Sequence, residues 1–362
     1  MDARMTVRAA LTAARLASVH LPPSIHSRTT GEPAVSIRRI RLSSIALLLP
    51  LVAACATAAV QSAVPREGFI EGADGVRLFY RVAGSGAVTI VALHGGPGVG
   101  HEVLAPDLEP LAARHTVIFY DQRGGGRSGL PDTTLLGMDR FVEDLEAVRR
   151  HFGMERMTLL AHSFAPLIAA SYARTYPERV ERMIFLGGLG PRREDAIAFG
   201  QTRAAQRDSA QTARWREIVQ RFRSGTPAEA VEACRESWKM MHDIVVAQGW
   251  PRPRGTSCNA PAEAVLYGYR YTSQVLPRGL GAYDFTREMG GVRAPLLVIT
   301  GDRDETPVPA HRAWAAAVPN GRLLVIPGGG HYPHVEDPEI FFPAVDVFVA
   351  GGWPEGAVDP TP

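Results

Sequence analysis

The chain has 362 residues, 46% of them hydrophobic and 21% charged, an ordinary globular composition long enough for one large domain or two small ones. Its formal net charge is +2, but the seven arginines of residues 1–64 face only Asp2 and Glu32, which leaves −3 for the remainder. A mildly acidic body excludes an electrostatic footprint for nucleic acid.

Residues 1–34 are Ala/Arg-rich, with Pro22 and Pro23 adjacent and no sustained core pattern. They read as a disordered tail or as an over-extended reading frame. Residues 35–55 read as an export signal. Arg38, Arg39 and Arg41 precede the apolar run "LSSIALLLPLVAA", which is too short and Pro-broken for a good membrane span. The run ends in "VAAC", which resembles a bacterial lipobox with Cys55 as the lipidated residue. Plain secretion with cleavage after "ATA" (56–58) and an uncleaved anchor over 45–64 are the competing readings. The expected location is outside the cytoplasm, as a lipoprotein or as a periplasmic or secreted protein. Residues 56–67 are expected to be a tether. Cys55, Cys234 and Cys258 are the only cysteines. With Cys55 lipidated, the other two form a bridge in an oxidising compartment or remain buried thiols.

From Phe69 the chain reads strand, turn, strand, with "ADG" (73–75) as the turn. Continuous apolar runs follow: "VTIVAL" (88–93), "HTVIFY" (115–120), "RMTLLA" (156–161), "RVERMIFLG" (179–187), "PLLVIT" (295–300) and "RLLVIP" (322–327). Such runs suit strands covered on both faces. Helical patterns alternate with them, as in residues 138–152, where Phe141, Leu145 and Val148 share one face. The fold class is α/β: a mostly parallel central sheet with helices on both faces, built from residues 68–188 and 291–352. Residues 189–290 break the alternation and read as a helical cap inserted between two strands.

Chemistry-bearing residues sit at strand ends. "LLAHSFAPLIAA" (159–170) places Ser163 on a strand-to-helix turn, with alanines at 161 and 165 where a nucleophile elbow usually has glycine, and Pro166 just inside the helix. "HGGPG" (94–98) ends the 88–93 strand. The backbone N–H groups of Gly96 and Phe164 are then the oxyanion-hole donors, and His94 shapes the loop. "GDRDETPVP" (301–309) offers Asp302 and Asp304 as the acid, and the G-x-x-D spacing favours Asp304. His331 follows the last strand and is the general base, whereas His334, near the helix start, is expected at the surface. His162 should point away from Ser163. The chain order Ser163, Asp304, His331 is that of α/β-hydrolases.

With these motifs the sequence resembles the α/β-hydrolase superfamily over roughly residues 68–350. Within it, "HGGPG" and "YDQRGGGRS" (120–128) resemble the proline iminopeptidase family. Asp121, Arg123 and glycines 124–126 are given a structural role. The resemblance implies acyl-enzyme hydrolysis of an N-terminal proline or of related small amides, with no metal or other cofactor. A carboxylesterase or lactonase is the first alternative, and a low-turnover ligand-binding homologue the second. The elbow departs from the family's G-G-S-W-G. The family's cap carries glutamates that hold the substrate ammonium; the cap carboxylates available for that here are Glu232 and Glu236, together with Glu217 and Glu263, with Trp238, Trp215 and Tyr267 as apolar walls. Each glutamate reads more readily as part of a solvated helix face. The expected partner is a small peptide, amide or ester. Membrane contact is expected only through an N-terminal lipid.

Overall fold

The structure, a computed structural model, describes residues 66–360. The export signal, Cys55 and almost all of the expected tether lie outside those residues. Eight strands form one sheet: β1 (Arg66–Glu71), β2 (Arg77–Ala83), β3 (Thr89–Leu93), β4 (Thr116–Tyr120), β5 (Met157–His162), β6 (Val180–Leu186), β7 (Leu296–Gly301) and β8 (Gly321–Ile326). Their spatial order is β1-β2-β4-β3-β5-β6-β7-β8. β1 pairs antiparallel with β2 around the 73–75 turn, and β2 pairs antiparallel with β4. All later neighbours are parallel.

Two sequence-derived boundaries need correction. Arg66 and Glu67 already pair with Val82 and Arg81, so the tether cannot run to 67. At the other end, Val358 exchanges backbone hydrogen bonds of 2.9 and 3.0 Å with Leu323, so the core continues past 352.

The helices in chain order are α1 (Ala105–Leu108), α2 (Met138–His151), α3 (Ala165–Thr175), α4 (Arg193–Ala205), α5 (Ser209–Ser224), α6 (Pro227–Ala247), α7 (Ala262–Tyr267), α8 (Ser273–Gly279), α9 (Val308–Ala317), α10 (Pro333–Glu336) and α11 (Pro338–Val349). Successive strand residues point to opposite faces, and both faces are apolar. Val91, Leu159, Phe185 and Val298 pack with Phe141, Leu145, Ile168 and Trp314, so α2, α3 and α9 cover one face. Ile90, Leu160, Ile184 and Leu297 pack with Leu108, Phe341, Val345 and Phe348, so α1 and α11 cover the other. Phe141, Leu145 and Val148 are all buried, as their spacing predicts.

Between β6 and β7 lie α4 to α8. Capping boxes start two of them: Asp208 with Gln211 at α5, and Thr226 with Glu229 at α6, the latter with Pro227 at the first helical position. Their own core gathers Ile218, Phe222, Ala233 and Val265 around a Cys234–Cys258 disulfide. The cap docks through a π turn at Gly268–Thr272. The Gly98 carbonyl lies 1.8 Å from where a Cβ on Gly268 would sit, so only glycine fits there. Thr272 Oγ1 donates to the Gly124 carbonyl at 2.9 Å beside it. Among the described residues no helix is long and apolar enough to cross a membrane.

Candidate active site

Ser163 joins β5 to α3 with φ at 61°, one of two non-glycine residues of the described chain at positive φ. A serine held there costs on the order of 1–3 kcal/mol, a strain that clusters at functional sites. The turn is fixed on both sides: Ser163 N–H donates to Leu186 at 3.1 Å, and its carbonyl accepts from Leu189 N at 2.7 Å. Ala161 and Ala165 are fully buried, their methyls accommodated in the core. Opposite them, a Cβ on Gly95 would meet Ser163 Cβ at 2.6 Å, so the β3 loop reaches the serine only because position 95 lacks a side chain. Gly96 and Phe164, the residue after the serine, both line a cavity of about 490 Å³.

Asp304 and His331 converge on this point from the ends of β7 and β8. His331 Nε2 lies 3.0 Å from Ser163 Oγ, and its Nδ1 lies 3.0 Å from Asp304 Oδ1. Asp304 also accepts from Thr306 N at 3.0 Å and Thr300 Oγ1 at 3.1 Å. Buried His311 stands 3.4 Å from Asp304 Oδ2, within ion-pair distance but outside hydrogen-bond geometry. Asp302 instead accepts from Gly328 N at 2.8 Å, a turn contact away from His331.

Burial opposes ionisation of Asp304, but His331 and His311 outweigh it and hold its carboxyl well below the carboxylate range. Burial likewise opposes protonation of His331, yet Asp304, then Glu305, raise its pKa above the ordinary imidazole value. A protonated His331 cannot accept the serine proton. The expected kcat/KM therefore rises with pH through a one-proton limb whose midpoint lies above that of free imidazole. Glu305→Gln should move that midpoint down, because Glu305 is one of the groups raising it. A pH profile of the wild type and this variant checks both shifts, and a midpoint at or below 6.5 in the wild type would contradict them.

The surrounding shell holds the histidine loop. Glu336 accepts from Gly330 N and, at 3.1 Å, from Tyr332 N, clamping the backbone on both sides of His331. Burial raises its carboxyl pKa to about 7 against the pull of those bonds. His162 stands 3.2 Å by Nε2 from the His331 carbonyl, pointing to the histidine loop and not to the serine hydroxyl. His94 bridges two loops: its Nε2 accepts from Gln122 N at 3.2 Å, and its Nδ1 faces the Gly95 carbonyl at 2.7 Å. Those contacts assign Nδ1 as the protonated nitrogen. His334 corrects the sequence expectation. It is buried, not at the surface, packed between His162 and Phe341, because α10 folds back beneath the His331 loop. Burial lowers its pKa to about 4.

The cap residues divide. Trp238 and Trp215 line the cavity; Tyr267 does not, and its hydroxyl donates to the Pro131 carbonyl. Glu232 and Glu236 also do not reach it, a second correction. Glu232 pairs with Arg235 at 2.5 Å within α6, and Glu236 bridges from α6 to α5, with Arg214 at 2.5 Å and Arg221 at 2.8 Å. Glu217 pairs with Arg214, and Glu263 is exposed. Sequence reasoning missed Glu305, Arg203 and Arg207, all of which line the cavity. Among the described residues, one group of potential metal ligands converges: Asp304, Glu305 and His331, with ligand atoms within 4.8 Å. Both ring nitrogens of His331 are engaged there, by Asp304 and Ser163.

A strained serine at a strand–helix turn, with a histidine and an aspartate from later strand ends, is the arrangement of an α/β hydrolase. The chain matches the family model described as "alpha/beta hydrolase fold" over residues 88–338 and belongs to that family. Among curated relatives it is 29% identical over 289 residues to a proline iminopeptidase of Heyndrickxia coagulans, covering 78% of this chain and 98% of the relative. A proline iminopeptidase of Thermoplasma volcanium is 24% identical over 278 residues, covering 75% and 92%. Among solved structures, the proline iminopeptidase of Mycobacterium smegmatis superposes with a TM-score of 0.57 at 25% identity, covering 79% of this chain and 98% of that one. A thermophilic esterase from Thermogutta terrifontis shares the fold with the same TM-score, at 24% identity, covering 79% and 98%. The protein is a hydrolase of this superfamily, resembling proline iminopeptidases.

Proposed function

We propose that the protein is a serine hydrolase that cleaves small carboxylic esters or amides through an acyl-enzyme on Ser163. The observation that carries this reading is the continuous chain Ser163 Oγ, His331 Nε2, His331 Nδ1, Asp304 Oδ1, with 3.0 Å at each hydrogen bond. His331 takes the serine proton as Oγ attacks the substrate carbonyl. The tetrahedral oxyanion is held by the N–H groups of Gly96 and Phe164. His331 then returns the proton to the departing alcohol or amine. Water, deprotonated in its turn by His331, releases the acid and restores the serine.

Two substrate classes fit this chemistry, and each has its own support. The curated relatives favour release of an N-terminal proline from peptides. The cavity wall favours an esterase, because the four cap carboxylates that would hold an ammonium turn away from it or lie outside it. A chromogenic panel separates them: proline and alanine anilides with free and acetylated amines, beside short-chain acyl esters. With the peptidase reading, acetylation of the amine costs about two orders of magnitude or more, since the carboxylate that receives the ammonium is left unpaired. With the esterase reading, the esters are cleaved and both anilides are poor. Turnover of none of these, by protein that folds, would sink the proposal as a whole.

A further inference from the structure

The cavity bordered by Gly96 and Phe164 is lined mostly by apolar side chains, but its charged members are unbalanced. Arg203 and Arg207 line it from α4 and the turn after it, Arg193 stands exposed at its edge, and Glu305 is the sole acid in the lining. Positions 196, 199 and 203 recur at helical spacing, which turns Ala196, Phe199 and Arg203 toward one side, and Arg207 follows in the turn after the helix. Phe199 packs on the His331 ring at 5.2 Å between centroids, and the Arg203 guanidinium lies 5.5 Å from the Phe199 ring. The row thus begins beside the catalytic histidine. It ends at Arg207, whose guanidinium lies 4.3 Å over the Trp215 ring.

Neither guanidinium has a carboxylate within ion-pair distance among the described residues, whereas Arg214, Arg221 and Arg235 of the cap are each paired with a glutamate. The ion-pair contact of Glu305 is to His331, at 3.9 Å. Burial, and then the charge of Arg203, pull the Arg207 pKa down, the signature of a cation lacking its counter-charge, whereas the burial of Arg203 is outweighed by Tyr332 and Glu305, which raise its pKa. A guanidinium placed in an apolar wall without an acid is costly unless a ligand supplies one. Its fork matches a carboxylate in two parallel hydrogen bonds. Three guanidiniums, Arg193, Arg203 and Arg207, against Glu305 leave the lining with an excess of positive charge that an anionic group of the substrate neutralises.

We infer that Arg203 and Arg207 hold a free carboxylate of the substrate, separate from the bond that is cleaved, so that the preferred substrates are monoanionic half-esters or amides with one unreacted carboxyl group. This rests on the hydrolase reading above. The apolar wall of Trp215, Trp238 and Met241 carries the chain between the two ends.

The test compares p-nitrophenyl hydrogen adipate with p-nitrophenyl hexanoate, which have equal chain length and differ by the terminal carboxylate, with non-enzymatic hydrolysis subtracted. The expected wild-type kcat/KM is at least tenfold higher for the adipate ester, and the advantage shrinks with added salt. Arg203→Gln and Arg207→Gln each bring the ratio toward one, while Arg207→Lys, which keeps the charge but loses the fork, retains only part of it. The ratio is read within one protein preparation, so a smaller active fraction cancels. A wild-type ratio near or below one, or a ratio unchanged in both glutamine variants, overturns the inference and leaves the hydrolase reading standing. If the wild type cleaves neither ester and takes up no fluorophosphonate, the hydrolase reading falls and the inference falls with it.

Discussion

Replacement of Ser163 by alanine is expected to abolish fluorophosphonate labelling and to lower turnover by about 10⁶, because the proposed nucleophile is gone. Asp304→Asn is expected to lose about 10⁴. The asparagine can still bond to His331 Nδ1, but its amide no longer stabilises the imidazolium and can favour the wrong tautomer. Its fold should survive, since the amide oxygen still accepts from Thr306 N and the amide nitrogen can donate to the Thr300 hydroxyl. Asp302→Asn is the control. Its partner is Gly328 N, so it should reduce turnover less than about threefold, the effect of a weakened surface turn. The readouts are initial rates with the best chromogenic substrate of the panel, and labelling intensity on a gel. Full activity in Ser163→Ala, or equal damage from Asp302→Asn and Asp304→Asn, would reassign the site.

Much of this site could be read from the sequence because its members sit where short apolar runs stop. Runs of that kind mark buried strands, and the residue after a strand's carboxyl end is where an open α/β sheet presents chemistry. The eight strands, Phe141, Leu145 and Val148, and the meeting of Ser163, Asp304 and His331 all follow from that local pattern. What escaped is what distant packing decides. His334 looks like a surface residue at a helix start, and only the burial of α10 against His162 and Phe341 removes it from water. Glu232 and Glu236 look like candidate ammonium ligands until α5 and α6 pair and turn them to Arg235, Arg214 and Arg221. In the same arginine-rich stretch, Arg203 and Arg207 look like solvated charges. Nothing in the local sequence distinguishes an arginine facing a cavity from one facing water. The strand order, in which β4 lies outside β3, likewise comes from a crossover that periodicity cannot register.

Arg123→Met is expected to lower the unfolding free energy by about 3–5 kcal/mol, the cost of leaving one partner of a buried ion pair uncompensated. Arg123 has no exposed side-chain surface, and Asp144 has 1%. Two donors of the guanidinium, Nε and Nη2, meet the two carboxylate oxygens of Asp144 at 2.6 Å each. The remaining donors reach the carbonyls of Leu135 and Ala73 at 3.0 Å, and Nη1 also stands 3.5 Å from the Asp74 carboxylate. One side chain thereby joins the loop after β4 to α2 and to the β1–β2 turn. Asp144→Asn should cost a similar amount from the opposite side, because the guanidinium would keep a neutral partner in a dry site. The double variant Arg123→Met with Asp144→Leu should recover a large part of the loss, since it removes both charges together. Denaturant titrations of the four proteins measure the coupling, and fully additive losses would show that the pair is not acting as one unit. The consequence for catalysis follows the chain by one residue. Gln122 donates through its backbone N–H to His94 Nε2 and through its side-chain amide to the His94 carbonyl, at 3.2 and 2.8 Å. His94 opens the turn that carries Gly96. Arg123→Met should therefore lower kcat by about tenfold in protein that remains folded, with KM less affected, because a displaced Gly96 N–H weakens the oxyanion contact and not ground-state binding.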